Sequence, residues 1–567
     1  MWPFSGQPPA VEAKLAARDA ALSTAGEFSE TEHQAYLNAT ATEIVSRIGK
    51  GEWTATQVLE AYIARAAQAQ KLTLCLTEVL FEQARAEAKQ LDEDFAQTKK
   101  LKGPLHGVPV SLKDMFQVSG VDSTIGYTSW INRPAKSDAL LVRLLREAGA
   151  VQFVKTNVPQ TLLAFECSNP LWGRALNPWS AAHTPGGSSG GEGALLAMDG
   201  SALGVGTDIG GSIRIPAHYC GIYALKPGWG RSSTEGTTSP NPGFEAIRAV
   251  NGPMGRSVED LKIVAQVLFG QRNSNYFPAP VPYREISLPK KLRFGYYTSD
   301  HFIKASPVCR RAVLETVEAL RAQGHECVGF KLPGPGYSAL SLFTAITSAD
   351  GYQGLLRHLG PDPKESAMFL ITLGPKLPGF LRCLAAWAIS FYDPIFAHLL
   401  TQSRHKTVGE FNDYVALKLE YEREFRKLAW EEQKFDAIIA PVQAIPAVPH
   451  HGCDNLSPLA ASTVQYNIVD SPVGIVPVTR VDPAKDAVTA EWFTGDDHGS
   501  RIWEDALYGK KAVYDPVKMQ GLPVGVQVVG LPWGEEAVLA MMDVVDKALG
   551  PRGFGPGSWS PGDQKSG

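Results

Sequence analysis

Apolar positions recur with two different periods along this chain. In the first hundred residues, rich in Ala, Glu, Gln and Lys, the spacing is helical. Val58, Leu59, Tyr62 and Ile63 follow Thr54 and Gln57, which read as a capping box. The texture then changes. In LHGVPVSLK, Val108, Val110 and Leu112 alternate as in a strand. SDALLVRLLREAGA has the period of a helix, with Ser137 as its cap and Gly149 as its stop, and VQFVK resumes strand character. A strand, a helix and a strand with short connections predict parallel pairing through a right-handed crossover. The pattern returns as KLRFGYY, a helix opened by Ser306 and Pro307 that ends near Gly324, and ECVGF. A long helix from about 408 to 433 then leads into FDAIIAPV. The expected fold class is α/β: a single large mixed β-sheet covered on both faces by α-helices. Residues from about 360 to 435 form an inserted or covering helical layer.

Composition narrows the function class. At 567 residues the chain has room for two or three average domains or for one large sheet enzyme. Apolar residues at 44% and charged residues at 20% describe an ordered globular body. A net charge of −4, a pI near 6.3 and the lack of a long basic block argue against a nucleic-acid partner. The seven cysteines are widely spread, with no CxxC pair and no Cys/His cluster spaced for zinc; they read as free thiols in a reducing compartment. The segment MWPFSGQPPAVEAKLAARD lacks the apolar core of a signal peptide. The run CLAAWAISFY, between Arg382 and Asp393, is too short for a span of about 20 residues. An intracellular protein is expected, cytoplasmic or peripheral on an intracellular membrane, not secreted and with no transmembrane helix.

The unusual stretch is TPGGSSGGEGALLAMDGSALGVGTDIGGSIRIPAHYCG, residues 184–221, where glycines crowd around serines. Glycine lets the backbone turn several N–H groups toward one point, as an oxyanion hole or anion nest requires. TDIGGS offers consecutive amides at Ile209, Gly210, Gly211 and Ser212. Three readings compete on residue types alone. A phosphate-binding loop fits badly, because no lysine occurs between Arg174 and Lys226. A hydrolase elbow is satisfied formally by Gly187-Ser188-Ser189-Gly190-Gly191, with Ser189 as nucleophile. The third reading is a structural glycine loop with incidental serines.

The order of GVPVSLKD, PGGSSGGEGAL and GVGTDIGGSIRIPA resembles the amidase signature family, and within it the fatty acid amide hydrolases. The likeness covers about residues 40–550 and is strongest from 103 to 230. It extends through NVPQTLLAFECSNPLWG, CGIYALKP, YNIVDSPVGIVPVT and GLPVGVQVVGLPW. The chain divides into an N-terminal helical extension over 1–40, a catalytic domain over 41–550 as the resemblance implies, with a helical cap at about 360–435, and a tail over 551–567 that its Gly/Pro/Ser-rich composition reads as flexible. The resemblance also implies a Ser-Ser-Lys triad, with Ser212 as nucleophile, Ser188 as proton relay and Lys113 as base, and a cis peptide bond at Gly187-Ser188. A lysine serves as base only when neutral, which burial favours. Amide nitrogen leaves only when protonated, so a relay that donates to nitrogen suits amides as well as esters. The amides of Ile209, Gly210, Gly211 and Ser212 would hold the oxyanion, Leu162 and Leu163 would line the acyl site, and Ser188 would also touch substrate. Ser189, Thr207, Asp208 and Arg214 read as support, with Asp208 and Arg214 bonding each other or nearby backbone. The plainest alternative for Lys113 is a salt bridge with Asp114. No metal or cofactor is required.

The segment KLPGFLRCLAAWAISFYDPIFAHLL, residues 376–400, has two readings. One is a buried helix pair broken at Pro394. The other, implied by the resemblance, is a cap that makes monotopic membrane contact without spanning the bilayer. The expected partner is a small acyl amide, cleaved to acid and amine with esterase activity alongside, and a homodimer is compatible with the sequence. Three rivals remain open: a short-chain or general amidase, an amidotransferase subunit, and a non-catalytic scaffold that binds acyl amides.

Overall fold

The computed structural model describes residues 8–271, 279–495 and 497–565. Its strands, in chain order, are β1 (Leu76–Val79), β2 (Pro109–Lys113), β3 (Val151–Thr156), β4 (Ser168–Asn169), β5 (Gly173–Arg174), β6 (Leu203–Asp208) and β7 (Tyr223–Lys226). They continue as β8 (Val250–Gly255), β9 (Arg293–Tyr296), β10 (Glu326–Gly329), β11 (Ala437–Pro441), β12 (Val473–Arg480) and β13 (Pro523–Val529). Strands β4 and β5 form a small ladder of their own. The other eleven make one mixed sheet in the order β1-β3-β2-β6-β8-β7-β12-β13-β11-β9-β10. Pairing is parallel for β3-β2, β2-β6, β11-β9 and β9-β10, and antiparallel elsewhere.

Both strand–helix–strand units expected from the periodicity are present and parallel: β2 and β3 around the helix Leu140–Glu147, and β9 and β10 around Pro307–Ala322. The Thr54 capping box forms as read, with Gln57 reaching back to the Thr54 amide. Ser137 is not the cap of the helix Leu140–Glu147. That helix starts after Ala139 with no side-chain cap, because the Asp138 carboxylate turns away to the Ser119 N–H and to Arg146.

The alternation in β2 has a different meaning from the usual inside–outside one. Val110 and Leu112 are buried, but so are Ser111 and Lys113, since helices cover both faces of the parallel strands. The polar face of β2 therefore points into the molecule. It meets the helix Gly190–Ala197, whose Gly191 lies against the chain after β3; a Cβ there would sit 2.3 Å from the Asn157 nitrogen. That close approach is why a glycine follows the serine pair.

Residues 360–435 are mainly helical: Phe369–Lys376, Gly379–Ser390, Pro394–Gln402 and Val408–Arg426, the last running on as a wider turn to Glu432. The break at Pro394 is real, with Asp393 accepting a hydrogen bond from the Phe396 N–H at the start of the second helix. The first helix of this pair is not buried, however. Ala386 is its one buried residue, while Phe380, Trp387 and Phe391 are 73%, 61% and 75% exposed. Among the described residues no single helix is long and apolar enough to cross a membrane; the bent pair Ser366–Lys376 and Gly379–Ser390 turns through 108°.

Residues 551–565, expected to be a flexible tail, pack on the body instead. Trp559 is 3% exposed and its indole N–H donates to the Pro178 carbonyl, while the Lys565 N–H donates to the Trp179 carbonyl. The aromatic side chain supplies the apolar area that holds a Gly- and Pro-rich segment in place.

Candidate active site

The carboxyl ends of the parallel neighbours β2 and β6 carry Lys113, Thr207 and Asp208 side by side. Lys113 Nζ lies 2.8 Å from Ser188 Oγ and 2.7 Å from Thr207 Oγ1, and all three side chains are buried. Among the described residues no carboxylate lies within ion-pair distance of Lys113. Asp114 faces elsewhere, accepting from Thr77, Thr124 and the Ile125 N–H and lying 3.9 Å from Lys155. The salt-bridge alternative for Lys113 is thus overturned. Burial strips water from the Lys113 amine and pulls its pKa down to about 7, against the upward pull of Asp208.

Beneath the lysine sits a residue that the sequence reading passed over. Glu192 is fully buried, and its two carboxyl oxygens accept hydrogen bonds from Ser111 at 2.6 Å and Thr156 at 2.9 Å. Burial pushes its pKa up to about 8, against the downward pull of the Ser111 and Thr156 hydroxyls and of Lys113. The signal was its place in GGSSGGEGAL, one turn into the helix that follows Ser188.

The peptide bond Gly187-Ser188 is cis, as the resemblance implied. The next residue, Ser189, hydrogen bonds through its N–H to the Ser212 carbonyl, which ties the two serine loops together. Its own side chain is fully buried and lines neither of the cavities described below. A nucleophile needs access, so the elbow reading fails for Ser189. Ser212 is half-buried and lines both cavities.

The turn that presents Ser212 is held by Asp208 and Arg214. Both are fully buried; Arg214 Nε and Nη2 donate to the two Asp208 oxygens at 3.1 and 2.9 Å. The guanidinium also donates to the Thr463 carbonyl, to Gln527 and to Asn467, so every face of it is satisfied. Burial disfavours the Asp208 charge, but Arg214 outweighs this and holds the carboxyl well below the usual range. Asp208 in turn accepts from the Gly211 and Ile213 amides at 2.9 and 3.0 Å. The Gly211 N–H is therefore already spent. Of the four amides expected to face an oxyanion, those of Ile209, Gly210 and Ser212 have no intramolecular partner among the described residues. Gly211 has φ +127°, and a Cβ there would lie 2.4 Å from Thr463 Oγ1.

Two cavities meet at Ser212. The larger, about 420 Å³, is lined by Leu162, Leu163, Phe343, Leu370, Ile389 and Phe396 among others, and no charged side chain reaches it. The smaller, about 140 Å³, shares Leu162, Leu163, Ile209 and Ser212, and Ser188 and Thr207 open on this one alone. Thr161 and Leu162 hold left-handed φ values of +69° and +64°, a conformation uncommon outside glycine that sets the Leu162 side chain between the two spaces.

The family model described as Amidase matches residues 57–539. This chain belongs to the amidase family. Among its relatives, fatty-acid amide hydrolase 1 of Sus scrofa is 36% identical over 513 residues, covering 90% of this chain and 85% of that one. An acetamidase of Aspergillus oryzae (strain ATCC 42149 / RIB 40) is 34% identical over 529 residues, covering 90% of each. A solved fatty acid amide hydrolase structure superposes with a TM-score of 0.80 at 28% identity, over 97% of this chain and 92% of that chain. The protein is thus an amidase-signature hydrolase built on the large mixed sheet of its family.

Replacing Arg214 by Ala in this amidase would leave the buried Asp208 carboxylate with hydrogen bonds but without its cation, a loss of about 3–5 kcal/mol. Urea unfolding checks this; a variant with the wild-type midpoint would contradict the supporting role given to the pair.

Proposed function

We propose that this amidase hydrolyses fatty acyl amides, N-acylethanolamines among them, to a fatty acid and an amine through an acyl-enzyme on Ser212. The observation that carries the reading is the buried Lys113–Ser188 contact at 2.8 Å, beside a Ser212 that itself lines an uncharged cavity of about 420 Å³. Neutral Lys113 takes the Ser188 proton while Ser188 takes that of Ser212, and Ser212 Oγ bonds to the carbonyl carbon. The Ile209, Gly210 and Ser212 amides face the oxyanion that forms. The proton then returns from Lys113 through Ser188 to the amide nitrogen, the C–N bond breaks, and water repeats the path to release the acid. Ser188 opens on the smaller cavity, so the amine departs on that side and the acyl chain occupies the larger. An activated ester needs no such proton and is hydrolysed by the same nucleophile.

The likeness to acetamidases supports a second reading, a short-chain amidase. The volume and apolar lining of the larger cavity favour the first. The exposed face of the helix Gly379–Ser390, with Phe380, Trp387 and Phe391 outward, adds a role as a monotopic contact with a lipid surface.

Three outcomes follow from this reading. Across fatty primary amides of graded length, kcat/KM rises about three- to fourfold per methylene until the cavity fills; preference for acetamide establishes the short-chain reading instead. Amide turnover at saturating substrate rises about tenfold per pH unit below about 7, where Lys113 is protonated, and levels above it. Lys113→Ala flattens that limb and slows amides more than activated esters, and equal losses would remove its proton-return role. The protein co-sediments with vesicles, and Trp387→Ser with Phe391→Ser lowers the bound fraction; a protein that stays in the supernatant with neutral and anionic vesicles excludes the contact.

A further inference from the structure

The two cavities differ in one respect that bears on the amine. Among their lining residues a single one is charged: Asp350, at the exposed end of the smaller cavity. We infer that Asp350 selects the amine part of the substrate by charge, favouring amines that carry a second ammonium group or hydrogen-bond donors and disfavouring anionic ones such as amino acids. This rests on the reading above that the amine departs through the smaller cavity.

Asp350 follows the helix Tyr337–Thr347, and its oxygens accept the Tyr352 and Gly354 N–H groups, each at 2.8 Å. Those bonds fix where the carboxylate points without neutralising it, and it forms no ion pair among the described residues. A second acceptor converges on the same place. A Cβ on Gly354 would lie 3.0 Å from Asp350 Oδ2 and 2.5 Å from Asn241 Oδ1, so the two oxygens lie close together against this one glycine. Ser239 and Asn241 line the cavity beside them, while Met115, Phe244 and Leu355 make the remaining wall apolar. Asp350 is itself exposed, so its field reaches the departing amine at short range across the cavity mouth and is weakened by salt. The larger cavity, uncharged throughout, makes no such distinction for the acyl chain.

The test uses the full-length protein and amides of one medium-length acyl chain with four amine parts: ammonia, ethanolamine, ethylenediamine singly acylated, and glycine. At low salt the expected kcat/KM for the cationic amide exceeds that for the glycine conjugate by at least about tenfold, with ethanolamine between them. One molar salt, which shortens the screening length to about 3 Å, compresses that ratio to within about threefold. Asp350→Asn compresses it at low salt, whereas a turn-capping role alone would move all four substrates together. Should that variant not fold, the salt series on the unaltered protein still decides. Equal rates for cationic and anionic amides, or a ratio moved by neither salt nor the substitution, overturn the inference while hydrolysis of the primary amide leaves the amidase reading standing. Failure to hydrolyse any of the four overturns both.

Discussion

The structure depends on keeping a lysine amine out of water. Lys113 ends a strand whose two faces are both covered, so its amine has no solvent and no carboxylate partner, only the hydroxyls of Ser188 and Thr207. An ammonium in such a place is costly and a free amine is not, which is the state a base requires. The parallel β2–β6 pairing, the helix packed over it and the tight glycine contact at Asn157 all serve to close this space. Glu192 lies in the same buried space, with the Ser111 and Thr156 hydroxyls on its two carboxyl oxygens and its pKa pushed up by burial.

A second buried pair solves the opposite problem. Asp208 and Arg214 remain charged because each is satisfied on every side, and that saturation is what makes the Ser212 turn rigid. Charge in this site is thus divided by position. The ion pair lies behind the turn, Lys113 lies beside it, and the larger cavity is lined by no charged side chain among the described residues. The charged residue that lines the smaller cavity is Asp350, at its exposed end.

The apolar surface is likewise divided. The helix Gly379–Ser390 turns large side chains outward, and its inner residues Ala385 and Ile389 line the same cavity that approaches Ser212. One helix therefore joins an exposed apolar face to the apolar cavity.

By itself the sequence determined the layered α/β architecture, because the strand and helix periods at 108–155 and 293–330 reflect burial that any fold of this class must make. The order of its Gly-Ser motifs also determined the family, and with it Lys113, Ser188 and Ser212 as the residues to watch. Several matters were decided only in three dimensions. The alternation in β2 looks like a half-exposed strand, and only helices from distant parts of the chain bury Ser111 and Lys113 as well. The choice against Ser189 came from access, which no motif encodes. The Gly211 amide was lost to Asp208, a local bond whose competition with an oxyanion depends on the exact turn. Glu192 stands inside the Gly-Ser motif, but only the fold buries it against Ser111 and Thr156, and only the fold sets Asp350 at the mouth of the cavity that Ser188 and Ser212 line. In both cases the neighbours are far apart in sequence, and burial or exposure in three dimensions, not residue type, sets the local electrostatics.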